Sequence, residues 1–124
     1  MGCAFRSVIG GYERFGKLGL MEDVVIQGCG PIGLYSTIVS RESGASTIIV
    51  VNAPQNRLEL AKRWGTDRVI NIEEVKTSEE RKEMLLAPTN GRGPENVVEG
   101  AGVPATVAEG LEIIQKGGKY LILG

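Results

Sequence analysis

Short, strongly apolar runs alternate with longer amphipathic stretches along this chain, and this alternation restricts its possible folds more than any other feature. The run TIIVV at residues 47–51 is apolar throughout, which is typical of a parallel strand that is covered on both faces. The pattern predicts strands at 24–28, 47–51, 68–71, 96–99 and 119–123, and helices at 4–18, 31–43, 55–64, 78–86 and 104–116. It therefore predicts a doubly wound α/β fold, with a parallel sheet in the strand order 3-2-1-4-5.

The length and composition are those of one ordinary globular domain, which we expect to span residues 1–124. The chain stops as the fifth strand ends, where this fold usually adds a sixth strand, so we interpret it as a fragment of a longer protein. Fourteen basic and 15 acidic residues argue against a nucleic-acid surface built on bulk charge. No apolar run is long enough to cross a membrane, and two cysteines fit a reducing compartment. We expect a soluble, cytoplasmic protein.

The chain contains no histidine. This excludes, within these 124 residues, a histidine general base, a Ser-His-Asp triad and any zinc site that needs a histidine ligand. Chemistry that depends on such groups would have to be completed by another part of a longer protein.

A glycine-rich motif, GCGPIG, follows the first predicted strand and opens a predicted helix. In a dinucleotide site Gly28 would allow a tight turn, Gly30 would let a pyrophosphate approach the backbone, and Gly33 would let the helix pack close to the strand. Pro31 suits the first turn of the helix, whose N-terminus favours an anion. A turn that needs glycine only for its backbone angles has the same spacing, but the strand before the motif and the helix after it favour a dinucleotide site.

The second predicted strand is followed by Asn52, where many dinucleotide-binding folds carry an acid that bonds a ribose and repels a 2′-phosphate. Asn52 can still hydrogen-bond the ribose hydroxyls, and Arg57 lies five residues further on, near the expected edge of the ribose, where it could attract a 2′-phosphate. The alternatives are a turn residue for Asn52 and a solvated helix position for Arg57. The choice between NAD and NADP therefore stays open.

Three segments together resemble the cofactor domain of the zinc-dependent medium-chain alcohol dehydrogenases. They are VVIQGCGPIGL at 24–34, IIVVNAPQNRLELAKRWGTDRVIN at 48–71 and NGRGPENVVEGAGVPATVAEGLEIIQKGGKYLILG at 90–124. The resemblance covers nearly the whole chain with its motifs in order. It implies a cofactor domain for NAD or NADP, and a substrate domain that lies mostly before this segment in family members.

The resemblance also implies which residues contact the cofactor. They are Ile32, Gly100, Ala101, Gly102, Leu123 and Gly124. Ile32 would pack against the nicotinamide side of the cofactor. Gly100, Ala101 and Gly102 would pass near its two riboses. Leu123 and Gly124 would lie in the segment that bonds its carboxamide. The alternative for these glycine-rich segments is a packing role alone.

The opening GCAFRS resembles the family's setting for a cysteine that ligates the catalytic zinc. The resemblance implies that Cys3 is a zinc ligand in a full-length parent and that Ser7 is the catalytic hydroxyl residue beside the nicotinamide. Zinc would then polarise an alcohol or carbonyl substrate during hydride transfer. The alternative is that Cys3 is a small apolar residue at the frayed start of the fragment and binds no metal.

The sequence thus predicts the NAD(P)-binding domain of a zinc-dependent alcohol or polyol dehydrogenase, inactive in isolation and homo-oligomeric in its parent. Its partners would be a nicotinamide dinucleotide and a small alcohol or carbonyl compound, with no nucleic acid and no membrane. A transferase that uses S-adenosylmethionine also places a glycine-rich loop after its first strand. A stand-alone nucleotide-binding module without catalysis is a further alternative, which the missing histidines favour.

Overall fold

The structure is a computed structural model that describes residues 22–28, 30–53 and 55–123. Its five strands are β1 (Asp23–Gln27), β2 (Thr47–Asn52), β3 (Arg68–Asn71), β4 (Asn96–Glu99) and β5 (Lys119–Ile122). Its four α-helices are α1 (Pro31–Glu42), α2 (Gln55–Arg63), α3 (Ser78–Leu86) and α4 (Pro104–Ile113). A short 3₁₀ helix, Ala87–Thr89, follows α3.

The sheet is parallel throughout and has the order β3-β2-β1-β4-β5, which confirms the predicted topology. In register, Gln27 of β1 pairs with Val51 of β2 on one side and with Glu99 of β4 on the other. The carboxyl ends of these three strands therefore meet at one edge of the sheet. The chain leaves β1 toward β2 and later returns to the other side of β1 with β4, so this edge holds the topological switch point where such folds bind ligands.

Both faces of the sheet are covered, which explains why β2 is apolar at every central position. One face packs against α1 and α2, and its buried residues include Val24, Ile26, Ile48, Val50, Leu34 and Leu58. The other face packs against α3 and α4, and its buried residues include Val25, Ile49, Val51, Val97, Leu85 and Ile113. The two faces use alternate residues of the same strands, as the pleat requires.

The bounds differ from the sequence prediction most at α4, which ends three residues early. Ile114 has extended backbone angles, φ −64° and ψ 140°, and the N–H of Gln115 donates to the carbonyl of Pro94 at 2.9 Å. This bond to the loop before β4 replaces a further turn of helix. The helix predicted at 4–18 lies outside the described residues.

The most deeply buried residues of helix α1 include small hydroxyl residues. Ser36, Thr37 and Ser40 are fully buried, whereas Ile38 and Val39 are only half-buried. The hydroxyls of Ser36 and Thr37 donate to the carbonyls four residues earlier at 2.8 and 3.0 Å. Because these bonds satisfy the hydroxyls within the helix, small side chains can face the sheet at close range.

In residues 22–28, 30–53 and 55–123, which the structure describes, no helix is long and apolar enough to span a lipid bilayer.

Candidate functional site

The turn after β1 depends on Gly28. Its φ of +125° is a backbone conformation that side chains with a Cβ rarely adopt, and its N–H donates to the carbonyl of Val51 at 3.0 Å. A Cβ at this position would also lie 3.2 Å from the backbone of Gly100 and of Ala101. Gly28 is therefore required by the turn and by the loop that follows β4.

Gly33 is required by helix packing. A Cβ at this position would overlap the carbonyl group of Gly28, well inside any permitted contact distance. Only glycine lets the first turn of α1 approach the end of β1 so closely. This is the packing role that the glycine motif predicts for its third glycine.

Gly30 differs from Gly28 and Gly33 because nothing in the described part of the chain requires a glycine there. Its backbone is extended, with φ −76° and ψ −167°, so other residues could adopt this conformation. Among the described residues, a Cβ there would meet only the Arg57 guanidinium, at 3.8 Å from Nη1. Within that part of the chain the space in front of Gly30 is therefore open, which is the arrangement that close approach of a ligand to the backbone needs.

The N-terminus of α1 provides a favourable electrostatic environment for an anion in front of Gly30. Gly30 is the N-cap, Pro31 stands at the first helical position, and the first turn carries no acidic residue. The helix dipole and the first backbone N–H groups favour negative charge at this end. Arg57 adds a positive group from α2, at an exposed position beside the same opening.

The neighbouring strand β2 ends in the half-buried amide of Asn52. The backbone carbonyl of Asn52 accepts a hydrogen bond from the N–H of Ile72 at 3.2 Å. This bond joins the end of β2 to the turn after β3. Asn52 therefore lies at the carboxyl edge, as predicted, and brings no negative charge there.

The loop after β4 runs directly over the glycine motif. The N–H of Gly100 donates to the carbonyl of Gln27 at 2.8 Å, and a Cβ on Gly100 would lie 3.2 Å from the Ile32 side chain. Gly102 has a φ of +76°, and Ala101 and Gly102 are both exposed. The structure thus brings Ile32, Gly100, Ala101 and Gly102 together at the switch point.

Sequence reasoning missed Glu99, the last residue of β4. Its side chain is fully buried, and its Oε1 accepts hydrogen bonds from the N–H groups of Ala101, at 2.6 Å, and Gly102, at 2.8 Å. A charged residue at the end of an apolar strand is the signal that could have drawn attention to it.

A second buried polar group, Gln27, lies beside Glu99 at the end of β1. The Gln27 side chain accepts a hydrogen bond from the Tyr120 hydroxyl at 2.6 Å and donates one to the carbonyl of Thr106 at 2.8 Å. Burial, and then the charge of Glu99, raises the pKa of Tyr120 to about 12, so this hydroxyl remains a donor at neutral pH. A Cβ on Gly110 would overlap the Tyr120 ring and hydroxyl, which explains the glycine inside α4.

A small cavity of about 70 Å³ opens at this carboxyl edge. Its lining residues are Gln27, Gly28, Val51, Asn52, Ile72, Arg81, Ala101, Thr106 and Glu109. The guanidinium of Arg81 pairs with Glu109 of α4 and donates to the carbonyl of Val75 at 2.8 Å. A larger cleft of about 470 Å³ lies beside β3 and includes Asp67 and Arg68 at that strand's amino end. Ligands of such folds bind at the carboxyl ends, so the smaller cavity marks the relevant edge.

The predicted site residue Leu123 lies next to the loop after β4, because its N–H donates to the carbonyl of Glu99 at 2.8 Å. Gly124, Cys3 and Ser7 lie outside the described residues. Among the residues that are described, no group of three or more His, Cys, Asp or Glu side chains could hold a metal ion, so they provide no zinc centre.

Comparison with known proteins gives a consistent picture. A family model described as a zinc-binding dehydrogenase matches residues 31–124. The chain is 38% identical, over its whole length, to 34% of the 5-exo-hydroxycamphor dehydrogenase of Pseudomonas putida. It is 40% identical, over 82% of its length, to 28% of the sorbitol dehydrogenase of Bacillus subtilis.

The fold is likewise similar to a solved structure. The crystal structure of an alcohol dehydrogenase from Thermotoga maritima superposes with a TM-score of 0.90 and 32% identity, covering 96% of this chain and 32% of that one. The chain therefore spans about a third of the length of the relatives it matches.

Proposed function

The chain belongs to the family of zinc-binding dehydrogenases, and from that premise we propose that residues 1–124 form a dinucleotide-binding domain for NAD or NADP. Gly30 is the observation that carries the proposal. The fold itself requires Gly28 and Gly33, whereas Gly30 has ordinary backbone angles and, among the described residues, open space where a Cβ would lie. A pyrophosphate that must reach the backbone would explain why this position is a glycine.

The proposed cofactor lies across the carboxyl edge with its pyrophosphate between Gly30 and the N-terminus of α1. The dipole of α1 and the guanidinium of Arg57 supply the positive charge that this group needs. Asn52 would bond the adenosine ribose, and the small cavity beside it would accept part of the adenosine. Such a site is concave and combines apolar walls with a few fixed polar groups.

The nicotinamide half would extend to the other side of β1. There, Ile32 would pack against the nicotinamide, and Gly100, Ala101 and Gly102 would pass near the riboses. We also propose that Leu123 and Gly124 bond the carboxamide. A Cβ on Gly100 would lie 3.2 Å from the Ile32 side chain, and this proximity supports a common binding surface.

We propose that the full-length protein interconverts an alcohol and a carbonyl compound. The dinucleotide supplies the chemistry of hydride transfer, and this chain's residues hold it in place. A zinc site that includes Cys3, with Ser7 beside the nicotinamide, is part of this proposal for the full-length protein. The described residues do not provide that site.

Because the side chain of Asn52 is uncharged, it would not repel the 2′-phosphate of NADPH. Replacing Asn52 with aspartate tests this role. We expect Asn52→Asp to weaken NADPH binding by about tenfold or more, because a carboxylate would repel the 2′-phosphate. NADH affinity should stay the same or improve. The measurement is the ratio of the two dissociation constants by isothermal titration calorimetry.

A charge-matched control is available at Asn90, which is exposed in the turn before β4, at the opposite edge of the sheet. Asn90→Asp makes the same change of charge and should leave the NADH to NADPH ratio unaltered. An equal ratio in wild type and in Asn52→Asp would rule out the proposed role of Asn52.

Direct titration tests the binding proposal against the transferase alternative. We expect NADH or NADPH to bind this chain and S-adenosylmethionine to bind far more weakly. Binding of S-adenosylmethionine alone would contradict the proposal, as would the absence of all binding at millimolar ligand.

A further inference from the structure

The buried carboxylate of Glu99 has no role in the site proposed so far. It is the only charged side chain among the buried residues that the structure describes, and it is 0% exposed. Moving an ionised carboxylate out of water is costly unless strong hydrogen bonds replace its hydration. Its partners therefore indicate what this residue does.

Those partners all belong to one loop. Oε1 accepts the N–H groups of Ala101 and Gly102 at 2.6 and 2.8 Å, while Oε2 has no partner within the described part of the chain. No arginine or lysine among those residues forms an ion pair with it. Hydrogen bonds to an ionised acceptor are about twice as strong as neutral ones. The carboxylate is thus used to hold two consecutive backbone amides.

This contact fixes the position of the loop against the glycine motif. The backbone N of Ala101 lies 3.2 Å from the place where a Cβ on Gly28 would stand, and a Cβ on Gly100 would lie 3.2 Å from the Ile32 side chain. A shift of the loop by a few tenths of an ångström would therefore change the shape of the surface that the loop and the glycine motif form at the carboxyl ends of β1 and β4. Gly102, with its φ of +76°, completes the turn around the carboxylate.

The contact also determines what the loop can offer a ligand. Because the N–H groups of Ala101 and Gly102 point to Glu99, they are not available to a phosphate. The carbonyl groups remain, and these accept hydrogen bonds from hydroxyl and amide groups. Ribose hydroxyls and a carboxamide have such donors, whereas a pyrophosphate has none.

We infer that Glu99 is a positioning residue of the dinucleotide site: by holding the amides of Ala101 and Gly102, its carboxylate sets the loop after β4 in the form that receives the ribose and nicotinamide part of the cofactor. The inference rests on the proposed function. It adds a residue that does not touch the cofactor itself.

Two substitutions in β4 test this inference. Glu99→Ala removes the acceptor, and Val97→Ala is the matched control because Val97 is fully buried in the same strand, two residues away from the loop. In the ligand-free chain we expect amide hydrogen exchange at Ala101 and Gly102 to become at least about tenfold faster in Glu99→Ala than in Val97→Ala. We expect the dissociation constant for NADH to rise by about tenfold relative to the control.

Glu99→Gln keeps the test informative if Glu99→Ala fails to fold. Its amide oxygen can accept the same two N–H groups without the charge, so we expect smaller changes in the same direction at both readouts. A role in stability alone would lower the melting temperature of the Glu99 variants and of Val97→Ala without a specific change in loop exchange or NADH affinity.

The outcomes separate the two proposals. If wild type binds NADH and the Glu99 variants match Val97→Ala in loop exchange and affinity, Glu99 is not a positioning residue. If wild type binds neither NADH nor NADPH, the proposed function fails, and the cofactor role of Glu99 fails with it. The exchange rates still show, in that case, whether Glu99 holds the loop.

Discussion

Replacing Gly33 with alanine should lower the free energy of unfolding by about 3 kcal/mol, since its Cβ would overlap the carbonyl group of Gly28. The obstacle is backbone at the end of β1, so no side-chain rotation can relieve it. Either α1 or the glycine turn must move, and both pack at the centre of the fold. Urea unfolding followed by circular dichroism measures the loss.

The control for this prediction is Gly30→Ala, three residues earlier. Of the residues that the structure describes, its Cβ would have only the Arg57 guanidinium nearby, at 3.8 Å, and its backbone angles suit alanine. We expect it to change the free energy of unfolding by less than about 1 kcal/mol. Equal stability of Gly33→Ala and Gly30→Ala would show that α1 does not approach β1 as closely as described.

Replacing Gly30 with valine should remove dinucleotide binding and leave the fold intact. The branched side chain would fill the open space between the glycine motif and the N-terminus of α1, where the proposed pyrophosphate lies. We expect NADH and NADPH affinities to fall by about 100-fold or more, since the phosphates could no longer reach the backbone. Calorimetric titration at a temperature where both proteins are folded measures the change.

Gly30→Ala gives a graded comparison for the valine variant. Its single methyl group would occupy less of the same space, so its affinity should fall between wild type and Gly30→Val. Retention of full NADH affinity by a folded Gly30→Val protein would contradict the pyrophosphate cradle.

The fold was predictable because its signals are local and repeated. The continuous apolar run of β2 indicated a strand covered on both faces, and both faces are indeed covered. The helix at Ser78–Leu86 and the strands at Arg68–Asn71 and Asn96–Glu99 have the predicted bounds. The strand order followed from the general rules for parallel sheets, which require no knowledge of side-chain contacts.

The parts that could not be predicted depend on contacts between distant segments. Arg81 and Glu109 are 28 residues apart in sequence and join two different helices, so neither charge could be distinguished from a solvated one. Helix α4 ends early because Gln115 bonds Pro94 across the fold. Glu99 looked like a polar strand end, and its burial follows from the loop that folds back over it.

The glycine motif contains both a feature that the sequence could predict and one that only the structure could decide. Its spacing predicted tasks for all three glycines, and the fold gives structural reasons for Gly28 and Gly33. For Gly30 the sequence offered two explanations, a turn and a phosphate site. The turn explanation is weakened because its backbone is extended and does not need glycine.

Mapping NADH onto the chain by nuclear magnetic resonance tests the central claim most directly. Glycine amides serve as markers because they lie at both edges of the sheet. We predict that saturation with NADH shifts the amide signals of Gly28, Gly30, Gly33, Gly100 and Gly102, all at the carboxyl edge, and leaves those of Gly44, Gly65, Gly91 and Gly117 at the opposite edge unchanged. Shifts confined to that opposite edge, or no shifts with millimolar NADH or NADPH, would contradict the account.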